Sequence, residues 1–208
     1  MKKHILFFLA IIFSSFINAQ VKIDSLNGKI YLETVHEVDL KKGELKSKAN
    51  DWIAKNFNNS NYVIKINSED KILVRGQFKA GAYFSSYGAT VYSPRDVDFI
   101  LDLKFKDGRY KTEILDITLT GAGIQHGFET YFMDLESYRE YSKKMLESYD
   151  GLGKKAGLKR LNNDKKFKKS YDANKKYGAQ IIEQVIRKIE DIDKSILVNM
   201  NSRKKDDW

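Results

Sequence analysis

The sequence predicts an α+β domain: a curved antiparallel sheet of about five strands, with two helices on one face and a basic helical insertion. Three observations predict it. Residues 97–120 alternate apolar and polar side chains on both sides of Asp107-Gly108, a dipeptide that accepts the positive φ angles of a tight hairpin turn. Apolar stripes with helical spacing run through Lys42–Phe57 and from about Gly178 to Met200. Shorter alternating runs at Lys29–Val38, Tyr62–Ile66 and Lys71–Lys79 supply the other strands. The order is β-α-β-β-β-β-α, and stacking both helices on one side of the sheet buries all the stripes together.

Each element has a local reason. Residues 20–28 read as a short lead without regular structure. In Lys29–Val38, Ile30, Leu32, Thr34, His36 and Val38 share the core-like face. His36 reads as a hydrogen-bonded histidine at a strand end. The first helix carries Leu45, Ala49, Trp52, Ile53 and Phe57 on one stripe, and Asn58 to Asn61 end it, because Asn and Ser favour turns. Tyr62, Ile64 and Ile66 face one side of the next strand. Asn67–Asp70 reads as a turn. Ile72, Val74, Gly76 and Phe78 point inward from Lys71–Lys79. A long loop is expected after Lys79, holding Gly81, Ser85, Ser86, Gly88 and the single proline, Pro94.

The hairpin register is more specific. A two-residue turn at Asp107-Gly108 pairs Phe105 with Tyr110, Leu103 with Thr112 and Leu101 with Ile114. Continued unbroken, it would set Phe99 against Asp116. One extra residue near Leu115 sets Phe99 against Ile117 and Val97 against Leu119 instead, so a β-bulge is expected there.

Two stretches resemble a known family. They are Glu44-Leu45-Lys46-Ser47-Lys48-Ala49-Asn50-Asp51-Trp52-Ile53 followed by Tyr62-Val63-Ile64, and Lys106-Asp107-Gly108-Arg109-Tyr110-Lys111. Over roughly residues 28–120 the chain is similar to a secreted bacterial domain of unknown function with a TATA-binding-protein-like fold, found mainly in the Bacteroidota. The resemblance implies a curved antiparallel sheet backed by helices. It implies neither an activity nor DNA binding.

Residues 1–19 have the layout of a secretory signal peptide. A basic start at Lys2-Lys3-His4 precedes an apolar run from Ile5 to Phe16, and Ala19 offers a small residue for cleavage. The run is shorter than the roughly 20 residues a bilayer span needs. Export follows as an expectation, to the periplasm or beyond the cell, with no transmembrane segment in the mature chain. Residues 20–134 then hold the sheet and first helix, 135–177 a basic insertion, 178–200 the closing helix of the same domain, and 201–208 a polar tail.

Composition excludes several chemistries. With no cysteine there is no disulfide framework, thiolate nucleophile or Cys-ligated metal. The chain has three histidines, and only His36 and His126 lie outside the signal, which leaves a poor stock of zinc ligands. No cofactor is expected.

Charge is the strongest functional signal. Ten basic residues lie between Lys154 and Lys176, including Lys165, Lys166, Lys168 and Lys169, against only Asp164 and Asp172. The chain as a whole is +9, so this window holds most of the excess. Phe167 and Tyr171 are interleaved with the lysines. Such a segment suits an anionic envelope surface or polymer held by salt-sensitive contacts, and it equally describes a solvated lysine-rich hairpin. A protein partner is the other expectation; specific nucleic-acid recognition is not expected.

Two weaker candidates remain. Asp98, Asp102 and Asp116 fall on the outward face of the sheet if the bulge is present, where Lys104 and Arg75 can neutralise them. Gly121-Ala122-Gly123-Ile124-Gln125-His126-Gly127, with Glu129 and Asp134 nearby, could place His126 beside a carboxylate or be a plain connection. It lacks the lysine and hydroxyl residue of a phosphate loop. The function read from the sequence is therefore an exported, non-enzymatic binding or scaffold domain. The alternative is a periplasmic hydrolase using Asp98, Asp102, Asp116 or His126.

Overall fold

A computed structural model describes residues 21–57, 63–86, 89–121, 124–148 and 150–202. The expected signal peptide and the Asn58–Asn61 helix stop lie outside the described residues. Strands β1 (Val21–Asp24) and β2 (Lys29–Glu37) lead into helix α1 (Lys42–Asn56). Strands β3 (Ile64–Asn67), β4 (Lys71–Ser86), β5 (Ala89–Lys106), β6 (Arg109–Gly121) and β7 (Ile124–His126) follow. Helices α2 (Glu129–Phe132), α3 (Leu135–Glu147), α4 (Gly151–Leu161) and α5 (Asp164–Asn201) complete the described elements.

The seven strands among the described residues join one antiparallel sheet in the order β1-β2-β6-β5-β4-β3, with β7 also on β6. The α+β class stands, but the strand number rises from about five to seven. The expected lead at 20–28 holds β1, which pairs back on β2. The expected glycine connection holds β7, which turns back on β6.

The hairpin at Asp107-Gly108 has the expected register, with Phe105 opposite Tyr110, Leu103 opposite Thr112 and Leu101 opposite Ile114. Gly108 supplies φ of +78°, where a side chain would be strained. The turn also holds α1. Lys42 N–H donates to the Asp107 carboxylate at 2.8 Å, and Gly108 N–H donates to Leu40 O at 3.0 Å. A negative side chain thus sits at the positive end of α1.

The bulge is where the pattern placed it. Val97 pairs with Leu119 and Ile100 with Leu115, and the register shifts between Asp98 and Ile100. Asp116 takes φ of +49°, the one positive value at a non-glycine among the described residues. Asp tolerates this region and β-branched residues do not. Asp116→Val should therefore lower stability by about 1–2 kcal/mol, and Asp116→Gly should be close to neutral, both read by urea unfolding. Equal stability of the two variants would show that this residue does not set the bulge.

The expected loop after Lys79 is instead a continuation of the strands. β4 and β5 stay paired from Lys71 opposite Lys104 to Ser86 opposite Ala89, forming a long two-stranded arm. Gly81 and Pro94 suggest a loop in the sequence, yet they are opposite one another in the ladder. The helix beside them explains why this works. Gly81 N–H donates to Gln184 Oε1 at 3.1 Å and Gly81 O accepts from Gln184 Nε2 at 2.6 Å. Tyr83 is bonded likewise by Gln180, at 3.2 and 3.4 Å. Two glutamines one helical turn apart thus act as a neighbouring strand along the outer edge of β4. Because Gly81 turns its polar groups away from β5, Pro94 opposite turns its nitrogen away from β4. Its missing N–H removes no ladder bond, since β6 pairing has ended by Asp96.

The core lies between the sheet and α1 with the C-terminal half of α5. Leu32, Val74, Leu101, Leu103, Ile114 and Leu119 of the sheet are buried against Leu45, Ala49, Trp52 and Ile53 of α1 and Ile181, Val185, Ile189 and Ile196 of α5. Gly76 sits in mid-strand because the Phe99 ring lies where its Cβ would be. Trp52 Nε1 donates to Ser195 Oγ at 2.6 Å, joining the two helices. Lys48 Nζ donates to Ser202 O, satisfying a carbonyl beyond the end of α5. The helix expected from about Gly178 is longer: it begins at Asp164, where Asn163 Oδ1 accepts from Lys166 N–H at 3.0 Å, and ends at Asn201.

Candidate functional site

The basic stretch folds as α3, α4 and the N-terminal half of α5, around a small core of its own. Leu161 and Phe167 are buried, and Tyr138 packs against both Phe167 and Tyr171 with ring centroids 5.8 and 5.6 Å apart. Arg139 closes this core. Its guanidinium lies 4.4 Å from the Phe167 ring centroid, donates to Leu161 O at 2.7 Å and pairs with Asp164 at 2.9 Å. Tyr171 donates to Met133 O at 3.1 Å and Lys175 to Tyr131 O at 2.8 Å, tying α5 to the end of α2. The aromatics interleaved with lysines in the sequence therefore hold the helices together and are not presented to a partner.

The lysines point the other way. Lys165, Lys166, Lys168 and Lys169 are all exposed. Lys168 pairs with Asp172 at 3.0 Å. Lys155, Lys159, Lys165, Lys166, Lys169 and Lys176 form no ion pair among the described residues. A groove of about 300 Å³ runs beside them, lined by Tyr138, Tyr141, Met145, Leu146, Gly157 and Arg160, among others.

The open face of the sheet is a lattice of charges rather than a carboxylate site. Lys71 reaches Asp102 at 2.9 Å; Lys104 reaches Glu113 at 2.5 Å and Asp102 at 3.6 Å; Lys111 reaches Glu33 at 2.6 Å and Glu113 at 2.9 Å. Like charges stand directly opposite in the ladder, as with Lys104 and Lys111, and each finds its opposite on the diagonal. Burial would raise the Glu113 carboxyl, but hydrogen bonds from Lys104 and Lys111 outweigh it and hold the group below its ordinary value. Asp98 is held low in the same way: burial opposes ionisation, and Thr120 at 2.7 Å, Gln125 at 3.1 Å and Gln77 at 3.1 Å outweigh it.

Asp98, Asp102 and Asp116 are not assembled. Asp98 is bonded by neutral donors, Asp102 is covered by two lysines, and Asp116 is exposed in the bulge. No group of three or more His, Asp or Glu side chains placed to hold a metal exists among the described residues. His126 is exposed, with Nδ1 3.2 Å from Gly127 O, and it meets no carboxylate among the described residues, Glu129 included.

The structure also assembles a buried polar cluster. His36 Nε2 lies 2.9 and 3.1 Å from the two carboxylate oxygens of Asp193. The residues are 9% and 1% exposed. The imidazole stacks on Tyr110 at 4.9 Å. A carboxylate only accepts, so His36 Nε2 carries the hydrogen. Burial, aided by the Asp193 charge, pushes the Tyr110 hydroxyl far above its ordinary value. His36 matches its reading as a hydrogen-bonded strand histidine. Asp193 is the residue that sequence reasoning missed. Its signal was present: it falls four residues after Ile189 and three before Ile196, on the buried stripe. The cluster lies between β2, β6 and α5.

The architecture is an antiparallel sheet with one face open and the other backed by helices. Residues 31–120 match the model of a domain of unknown function, DUF4468, with a TBP-like fold. Over those residues the chain is similar to the DUF4468 family. Two solved structures are similar. One is a DUF4468 family protein from Bacteroides ovatus, 13% identical, with TM-score 0.50, covering 92% of this chain and 95% of that one. The other is a TBP-like protein from Parabacteroides distasonis, 14% identical, with TM-score 0.47, covering 85% and 96%. At such identity the first likeness concerns the fold alone. Among curated proteins, none matches the chain. No helix of the described residues is long and apolar enough to cross a membrane.

Proposed function

We propose that this chain is an exported, non-enzymatic binding domain whose helical end holds an anionic polymer or surface. The observation that carries the reading is the separation of roles around α4 and α5. Aromatic and apolar side chains fill the small core, while Lys155, Lys159, Lys165, Lys166, Lys169 and Lys176 project without acidic partners among the described residues. Elsewhere the chain pairs its charges closely, as on the open face of the sheet. A local excess of unpaired positive charge raises the concentration of anions at that end. Export rests on residues 1–19, as read from the sequence.

The test uses the chain from Gln20 onward and a soluble sulfated polysaccharide. Binding should weaken steeply with salt, as for any polyanion that sheds counterions. Changing Lys165, Lys166, Lys168 and Lys169 together to Gln should lower affinity at least tenfold at low salt and flatten the salt dependence. Circular dichroism should be unchanged, because all four side chains are exposed. Absence of binding by the unchanged protein at low salt, or equal binding by the variant, overturns the reading.

A further inference from the structure

We propose that the outer face of α4 docks on an anionic lipid bilayer, with Leu152 inserted into the headgroup layer. The inference rests on the anion-binding reading above and names the source of the anion. Leu152 is 84% exposed. Its neighbours Gly151 and Gly153 would find nothing within 4 Å of an added Cβ, so no other part of the described chain covers this tip. At about 100° per residue, Ala156 and Lys159 share the face of Leu152, and Lys155 and Arg160 flank it. Leu161, half a turn away, is buried in the small core, and Gly157 lies against Leu146 of α3.

α4 therefore has two faces. One packs inward; the other presents a bare leucine among lysines. A soluble polyanion needs only the lysines and leaves Leu152 in water. A bilayer with anionic headgroups takes both, because the ammonium groups meet phosphates while the leucine passes below them. Lysine stems can extend along the apolar layer and keep their charge at its surface. Tyr141, Met145 and Leu158 add partly exposed apolar surface to the same bundle. One leucine and several lysines give reversible, salt-sensitive docking rather than permanent anchoring.

The experiment uses the chain from Gln20 onward, which contains every element described. Leu152→Trp is mixed with vesicles of anionic phospholipid carrying brominated acyl chains, and with vesicles of zwitterionic phospholipid carrying the same chains. Emission of the unsubstituted protein, which has Trp52 and Trp208, is subtracted. Blue-shifted, quenched emission is expected on anionic vesicles only, reversed by high salt. Leu152→Ser should bind anionic vesicles about tenfold less tightly and bind the sulfated polysaccharide as before. If the indole stays unquenched on bound vesicles, or Leu152→Ser binds them unchanged, insertion is wrong and the anion-binding reading stands. Polysaccharide binding with no vesicle binding has the same consequence. If the unsubstituted protein binds neither, both readings fall.

Discussion

Asp193→Ala will lower the free energy of unfolding by about 1–3 kcal/mol, the cost of leaving the buried His36 N–H without its acceptor. Among the described residues His36 has no other hydrogen-bond partner: both contacts of its Nε2 go to this carboxylate, at 2.9 and 3.1 Å. Both residues are buried, which limits the access of water to the orphaned N–H. Asp193→Asn keeps an acceptor oxygen and should lose less. Changing His36 and Asp193 together to Leu should cost less than Asp193→Ala alone, since no polar group is then left unpaired. Urea unfolding of the three variants checks the order. A loss below about 1 kcal/mol for Asp193→Ala would place the pair outside the stabilising core.

Trp52→Ala should cost about 3–5 kcal/mol, as usual for a large aromatic removed from a core. The indole is buried between α1 and α5, meets Phe57 edge-on at 6.0 Å, and donates to Ser195 Oγ. Trp52→Phe keeps much of the volume but strands the Ser195 hydroxyl, so about 1–3 kcal/mol is expected from the lost hydrogen bond. Ser195→Ala leaves the indole N–H without its acceptor and should resemble Trp52→Phe. Thermal unfolding followed by near-ultraviolet circular dichroism separates these cases. If Trp52→Phe is neutral, the hydrogen bond contributes nothing and packing alone joins the helices.

The parts of the fold that were legible have a period that only one face can satisfy. Leu101, Leu103 and Phe105 alternate with polar residues, and the Asp107-Gly108 turn fixes which partner each one meets. The bulge could be placed because the unbroken register puts Asp116 opposite Phe99. The arm from Ala80 to Arg95 was misread because its glycine, serine and proline are loop residues by local preference. Gly81 stands in a strand here because Gln184, about a hundred positions later, completes its hydrogen bonds, as Gln180 does for Tyr83. Short-range chemistry cannot contain that information. β1 and β7 escaped for a related reason: four and three residues are too few to show a period. Among the site residues, the exposure of Lys165, Lys166, Lys168 and Lys169 was readable from composition. The placing of Phe167 and Tyr171 on the inner side was not, since it depends on α3 lying across α5.

The glutamine pair along β4 has a wider implication. A long ribbon of two strands ordinarily invites a second molecule to add its own strand, and repetition of that step builds fibrils. Here one border of the ribbon is occupied by amides that the molecule itself provides, and Pro94 interrupts the other border. Many copies can therefore be crowded together without zipping edge to edge, and the ribbon keeps its length without recruiting neighbours.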